Sequence, residues 1–373
     1  MNEVNPAAIA TTVAWGGFAL AFIFGAVANK TNFCTMGAVS DVVNMGHWGR
    51  MRAWLLAIAV AMIGTNLLAY FGYIDLSKTI YTGSSFPWLA YIVGGMCFGV
   101  GMTLASGCAN RTLVRVGGGN LRSVVVFIYL GFAALVTLKG ILGAFRVNVL
   151  QASAVTLQLD HGQTLPALLS GMAGLSSASL QLLLAGATGL AILVFVFKDP
   201  AFRRSLDNNL SGLIIGLLVI GGWYLTGHLG FGENPDTLEM TYMGTNSHLA
   251  ESMSFVAPTA YTLEYWAYWT DASNIVTFGV ATVFGVGIGS FLYALINKSF
   301  RWEAFSSAQD MFYHIIGGTL MGFGGVTAMG CTIGQGITGV STLSLGSLLA
   351  LASIIAGSAL TMKIQYRIMM RDS

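Results

Sequence analysis

Gly94-Gly95-Met96-Cys97-Phe98-Gly99-Val100-Gly101-Met102-Thr103-Leu104-Ala105-Ser106-Gly107-Cys108 decides the fold, because its glycine pattern and terminal Gly-Cys return without a gap at Gly317-Gly318-Thr319-Leu320-Met321-Gly322-Phe323-Gly324-Gly325-Val326-Thr327-Ala328-Met329-Gly330-Cys331. A shorter version stands near the start, where Gly25 precedes Cys34 by the spacing that separates Gly99 from Cys108 and Gly322 from Cys331. A degenerate fourth copy begins at Gly212 and Gly216 and puts Leu225 in the cysteine position. Glycines three or four apart in an apolar stretch let helices approach closely. That explains the early glycines of each copy but not the ends. Ala109-Asn110-Arg111-Thr112 and Thr332-Ile333-Gly334-Gln335-Gly336 suit a break in the helix followed by a short half-helix. Broken backbone at membrane depth is tolerated only against protein or a water-filled cavity.

The surrounding sequence belongs in a membrane. Of 373 residues, 55% are hydrophobic and 9% charged, and the mean hydropathy is +0.72. Soluble domains carry roughly a quarter charged residues, so much of this surface faces the lipid bilayer. The net charge of +2 is too small and too scattered for nucleic-acid binding. The segment from Met1 to Pro6 has no Lys or Arg and no cleavage site follows, so the first apolar segment reads as a retained span rather than a signal peptide. A span takes about 20 apolar residues. Nine stretches qualify: 8–28, 53–73, 88–105, 121–143, 178–197, 210–228, 275–296, 312–329 and 343–362. The expectation is an all-α membrane protein forming a single transmembrane domain over 1–373. No soluble domain is left in the long gaps 144–177 and 229–274.

Lys and Arg set the orientation. The segment 229–274 has neither and carries Glu233, Asp236, Glu239, Glu251, Glu264 and Asp271, which puts it outside. Lys198, Arg203 and Arg204, then Lys298 and Arg301, then Lys363, Arg367 and Arg371 mark cytoplasmic ends. Nine spans then leave the N-terminus periplasmic and the C-terminus cytoplasmic, with every Lys and Arg inside except Lys78, Lys139 and Arg146. The spans before Cys34 and Cys108 run inward, and those carrying Gly212 and ending at Cys331 run outward. Two halves, about 8–143 and 210–362, are therefore expected as inverted repeats around the fifth span, 178–197. Inverted repeats place a substrate near the midplane, where discontinuous helices meet.

Cys34, Cys108 and Cys331 are the candidate substrate contacts. The cysteines are far apart, with no C-x-x-C and no His-rich partner segment, which argues against a zinc site, a cluster or a thioredoxin-type pair. Any one of them is also compatible with a buried apolar thiol. At a half-helix N-terminus, however, a cysteine lies beside unpaired N–H groups and the positive end of the dipole, a place that attracts anions. A thiolate would repel an anion, whereas a neutral S–H donates a weak hydrogen bond to it. A path needs several weak sites rather than one tight one, and three thiols suit a soft, sulfur-bearing anion. Cys97 has Leu320 as its counterpart and reads as structural. Arg111 is either an anion contact at the inner mouth or, with Arg115 and Arg122, one of the inside positive charges. Asn110 and Gln335 either donate to the substrate or satisfy broken backbone. Lys139 and Arg146 either attract anions or snorkel to the interface. His47, His161, His228, His248 and His314 fall mostly at span ends. No Asp or Glu stands in the middle of a span, which argues against ordinary proton coupling. There is no P-loop, no Ser/His/Asp arrangement and no metal-ligand cluster, so no enzyme and no cofactor are expected.

Asn32-Phe33-Cys34-Thr35, Phe86-Pro87-Trp88 ahead of Gly94-Gly95, Gly107-Cys108-Ala109, Gly322-Phe323-Gly324 and Gly330-Cys331-Thr332-Ile333-Gly334 together resemble the YeeE/YedE family of bacterial inner-membrane thiosulfate (sulfur) transporters, over essentially the whole chain. The resemblance implies an hourglass of nine spans plus short half-helices with pseudo-twofold symmetry. It implies thiosulfate uptake, passed along by S–H···S hydrogen bonds from three cysteines, which by motif position are Cys34, Cys108 and Cys331. It implies a small TusA-type sulfur-carrier protein as a cytoplasmic partner, and some relatives are tied to selenium or other sulfur species. Many members follow Gly-Cys-Ala with Thr-Gly-Thr, where this chain has Asn110-Arg111-Thr112. A charge beside the central cysteine bears on which anion is preferred. Two functions are therefore expected to compete. One is a transporter for thiosulfate or a related sulfur-containing anion. The other is a membrane component that receives sulfur or selenium covalently and hands it to a cytoplasmic carrier.

Overall fold

The computed structural model describes residues 6–160, 162–173, 177–234, 238–271 and 274–372; His161 and Asp236 lie outside them. The first half contributes α1 (Pro6–Thr31), α2 (Thr35–Met45), α3 (Gly49–Tyr70), α4 (Trp88–Leu104), α5 (Ala109–Gly117), α6 (Leu121–Lys139) and α7 (Ile141–Phe145). Then come α8 (Leu165–Ala173), α9 (Ser177–Phe197) and α10 (Pro200–Arg204). The second half contributes α11 (Leu206–Tyr224), α12 (Ala257–Ala267), α13 (Phe278–Ile296), α14 (Ala308–Thr327) and α15 (Leu345–Asp372). Two short antiparallel ladders, Ser85–Phe86 with Leu157–Gln158 and Phe231–Asn234 with Glu239–Tyr242, tie down the long gaps.

The chain is an all-α membrane protein. Among the described residues eight helical stretches are long and apolar enough to cross a membrane, those built on α1, α3, α4, α6, α9, α11, α13 and α15. Nine were expected from the sequence. The stretch 312–329 is helical as far as Thr327, in α14, but Gln309, Asp310, His314 and a run of glycines dilute the apolar character of that helix, and it is not among the eight. The outward-facing side chains are apolar: Phe132, Leu190, Val194 and Leu217 are each more than half exposed. Such a surface is a liability in water and the natural one in lipid.

Helices meet through glycine. α1 packs against α13 and α11 against α3; α4 packs against α15 and α14 against α6; α4 and α14 cross at the centre. At that crossing a methyl group on Gly101 would stand 2.6 Å from the Gly317 carbonyl oxygen, and one on Gly317 would stand 2.7 Å from that of Gly101. Real Cβ atoms do not come so near, so only glycine permits this approach. Gly95 and Gly99 press on α15 at Ala350 and Ile354, and Gly318 and Gly322 press on α6 at Val126 and Leu130.

The copy at Gly212 behaves differently. α11 runs through the cysteine-equivalent position without a break and passes into a π-helical turn, Leu225–Leu229. Leu225 packs there with Val13 and Phe278.

Candidate functional site: three helix breaks that end in thiols

Three helices stop in the same way. α1 closes with a bond from the Phe33 N–H to the Ala28 carbonyl at 3.2 Å, α4 from Gly107 to Met102 at 2.9 Å, and α14 from Gly330 to Gly325 at 2.7 Å. Each is the six-to-one bond of a Schellman ending. The residue before the donor is left-handed in every case: Asn32 (φ 52°), Ser106 (φ 55°) and Met329 (φ 58°). Glycine usually takes that position, because a Cβ there costs about 1–2 kcal/mol. Three non-glycine residues carrying the same strain at the same place mark a retained turn. The cysteine comes two residues later.

Each cysteine then starts a new helical segment. Cys34 is the N-cap of α2, its Sγ accepting from the Gly37 N–H at 3.4 Å. Cys108 precedes α5 in extended conformation, and its S–H donates to Asn110 Oδ1 at 2.6 Å. Cys331 Sγ accepts from the Gly334 N–H at 3.3 Å, ahead of a π-helical turn, Gly334–Gly339. Cys108 and Cys331 are fully buried and Cys34 is 8% exposed.

The breaks converge. The Cys108 thiol neighbours both the Cys34 thiol and the Thr332 hydroxyl. Thr332 follows Cys331, whose own thiol neighbours Ser254. Next to them in sequence, Thr35 Oγ1, Asn110 Nδ2 and Gln335 Oε1 are buried with no hydrogen-bond partner. An orphaned buried polar atom costs about 1–3 kcal/mol. Native interiors keep few of these, and a cluster of them calls for a reason. Here they lie within four residues of the three cysteines in sequence, so unpartnered polar atoms gather at the breaks.

Two cavities border these breaks. One, of about 380 Å³, lies against Gly330 and Met329 and is lined also by Tyr81, Arg146, Glu251, Ser254 and Tyr261. The other, of about 530 Å³, reaches Cys34 and is lined by Asn32, Asp41, Arg50, Arg111 and Arg115. Cys108 lines neither. Of the three thiols, only that of Cys34 borders one of these cavities.

The residues read from the sequence fall as follows. Arg111 lines the cavity at Cys34, and its Nη2 donates to Asn32 Oδ1 at 2.8 Å. Arg115 Nη1 donates to the Ser106 carbonyl at 2.8 Å. The two arginines thus brace two of the left-handed turns while facing the vestibule. Gln335 Nε2 donates to the Ala328 carbonyl at 2.5 Å, so one end serves broken backbone and the other is orphaned. Asn110 divides in the same way: Oδ1 takes the Cys108 proton and Nδ2 is orphaned. Lys139 is held by Glu264 at 2.5 Å, whereas Arg146 lines the first cavity with its Nε buried and unpartnered. Cys97 is half-buried and lines neither vestibule. His314 packs against Asp310 and Phe305.

Sequence reading missed three things. Thr35 and Thr332 stand beside thiols, and the Cys-Thr doublet at 34–35 and 331–332 was the available signal. Arg50 grips Asp41 through two bonds of 2.5 Å at the edge of the Cys34 vestibule. Glu251, counted as surface charge, lines the other cavity.

Eight apolar helices long enough to cross a membrane, together with three breaks at buried thiols, define a multi-pass membrane protein. The chain belongs to the sulphur transport family, whose profile matches residues 30–360. It is 27% identical over 353 residues to the thiosulfate transporter TsuA of Escherichia coli (strain K12), covering 90% of each chain. It is 25% identical over 351 residues to the thiosulfate transporter TsuA of Spirochaeta thermophila, covering 92% of this chain and 96% of that one. These relatives are named as transporters, not enzymes.

Proposed function

We propose that the protein takes up thiosulfate, or a closely related sulfur-containing anion, across the bacterial inner membrane. The anion passes from the Arg146 vestibule to Cys331, then Cys108, then Cys34, and leaves through the arginine-lined vestibule. The observation that carries this reading is the convergence of three thiol-tipped breaks, with unpartnered polar atoms next to them in sequence and two cavities bordering them. Each neutral thiol lends one weak hydrogen bond to a soft sulfur atom, and successive weak sites let the ion move on. Asn110 at rest holds the Cys108 proton, which keeps that thiol a neutral donor in waiting.

The same reading takes the two halves as inverted repeats about a pseudo-twofold axis, with α14 as the ninth span. The contact of Gly101 with Gly317 supports it because it recurs between their counterparts, Gly324 and Gly94, as a twofold requires. The basic vestibule then faces the cytoplasm, following the positive-inside rule, the N-terminus is periplasmic, and a TusA-type carrier is the receiver there.

The test is uptake of radiolabelled thiosulfate into proteoliposomes against empty vesicles. Uptake saturable in thiosulfate is expected. No uptake, together with a persulfide on Cys108 detected by mass spectrometry, would instead establish covalent sulfur transfer.

A further inference from the structure

The vestibule beside Cys331 contains a carboxyl group, which is an odd neighbour for an anion. Glu251 lines that cavity with Tyr81, Arg146 and Tyr261. Its backbone and one carboxylate oxygen are both hydrogen-bonded. Its backbone N–H donates to Thr226 Oγ1 at 3.1 Å, and its carbonyl accepts from that hydroxyl at 2.5 Å. Its Oε1 accepts from the Ser247 N–H at 3.1 Å and from the Ser247 hydroxyl. The cations nearby are otherwise placed: Lys139 holds Glu264, and Lys78 lies over the Phe231 ring. Tyr81 is close to both Glu251 and Cys331.

Burial pushes the Glu251 carboxyl above the usual range, opposed by the Ser247 hydrogen bonds. The other groups around the cavity keep their charge near neutrality. Tyr81, from the segment before α4, and Tyr261, from α12, are phenols and stay neutral; Arg146, from the turn after α7, stays charged. His248, three residues before Glu251, is exposed. Among the described residues lining this vestibule Glu251 is the one carboxyl, and burial moves it toward the protonated form.

We propose that protonation of Glu251 governs access of the dianion to Cys331. The proposal rests on the thiosulfate reading. Ionised, Glu251 repels a dianion in a confined space where the Coulomb term is weakly screened. Protonated, it loses that charge and gains an O–H donor that can hold the anion. Uptake therefore rises as the pH on the Arg146 side falls through the Glu251 pKa.

The experiment is labelled thiosulfate uptake by proteoliposomes across external pH from about 5 to about 8, a window spanning shifted carboxyls. Wild type should take up several-fold more at the acid end. Glu251→Gln should be fast and nearly flat with pH. Ser247→Ala removes a donor to the carboxylate, so its rise should shift to higher pH, and this variant decides the matter should Glu251→Gln not fold. A flat wild-type profile, a Glu251→Gln profile like wild type, a folded Glu251→Gln that is inactive throughout, or an unmoved or acid-shifted Ser247→Ala profile overturns the proposal. Complete absence of wild-type uptake strikes the thiosulfate reading instead.

Discussion

Gly94 and Gly324 lie against each other's backbone. A methyl group on Gly94 would come within 2.8 Å of the Gly324 carbonyl oxygen, and one on Gly324 within 2.5 Å of that of Gly94. Gly101 and Gly317 repeat the relationship. In the aligned copies 94 answers to 317 and 101 to 324. Each copy therefore offers the other the same two small residues, and two helices cross with nothing between their backbones.

That crossing should be intolerant of even one carbon. Gly94→Ala and Gly324→Ala should each lower stability by about 1–3 kcal/mol, the usual range for overpacking, because backbone is what the methyl meets. Gly287→Ala, on α13 with nothing within 4 Å of the added carbon, should be neutral or slightly stabilising. Thermal unfolding in detergent reads all three. Equal behaviour of Gly94→Ala and Gly287→Ala would contradict the packing account.

The left-handed turns lead to a second expectation. Ser106 holds φ 55° without being glycine. Ser106→Gly should leave uptake intact and gain stability, by about 1 kcal/mol at most, because a floppier unfolded chain offsets part of the relief. Ser106→Val should lose more than that and should impair uptake, since a β-branched residue resists the turn that aims Cys108. Paired melting and uptake measurements check both.

Arg111 both braces Asn32 and lines the Cys34 vestibule. Losing one cation from an anion's exit should weaken attraction more than it weakens the fold. Arg111→Gln is expected to raise the thiosulfate KM roughly three- to ten-fold, on the order of 1 kcal/mol, with a shallower salt dependence. An unchanged KM with a lowered melting temperature would make Arg111 a brace and nothing more.

Much of this was legible in the sequence, for identifiable reasons. Long apolar stretches follow directly from composition, so α3, α6, α9 and α13 were plain. The Gly-rich copies were visible because backbone contact leaves no substitute for glycine. The breaks were less so. Their left-handed residues are Asn32, Ser106 and Met329, and no one-letter signal is shared among them. The fourth copy, degenerate in sequence with Leu225 at the cysteine position, has no break: Gly212 and Gly216 pack against α3 at Ala53 and Val60. The ninth expected span, 312–329, overlaps α14, whose first turns carry Asp310 and His314 and keep it less apolar than the other eight. Glu251 and Arg50 escaped notice because the cavities they line are assembled from distant segments, Tyr81 and Arg146 beside the one and Arg111 and Arg115 beside the other, although their hydrogen-bond partners Ser247 and Asp41 are near in sequence.

The central claim is that three thiols carry the anion, and its most direct test is labelled thiosulfate uptake by Cys331→Ala, Cys108→Ala, Cys34→Ala and Cys97→Ala in proteoliposomes matched for folded protein. Cys108→Ala and Cys331→Ala should lose most of the uptake, Cys34→Ala should lose part of it, and Cys97→Ala should match wild type. Unchanged uptake in both Cys108→Ala and Cys331→Ala would contradict the account.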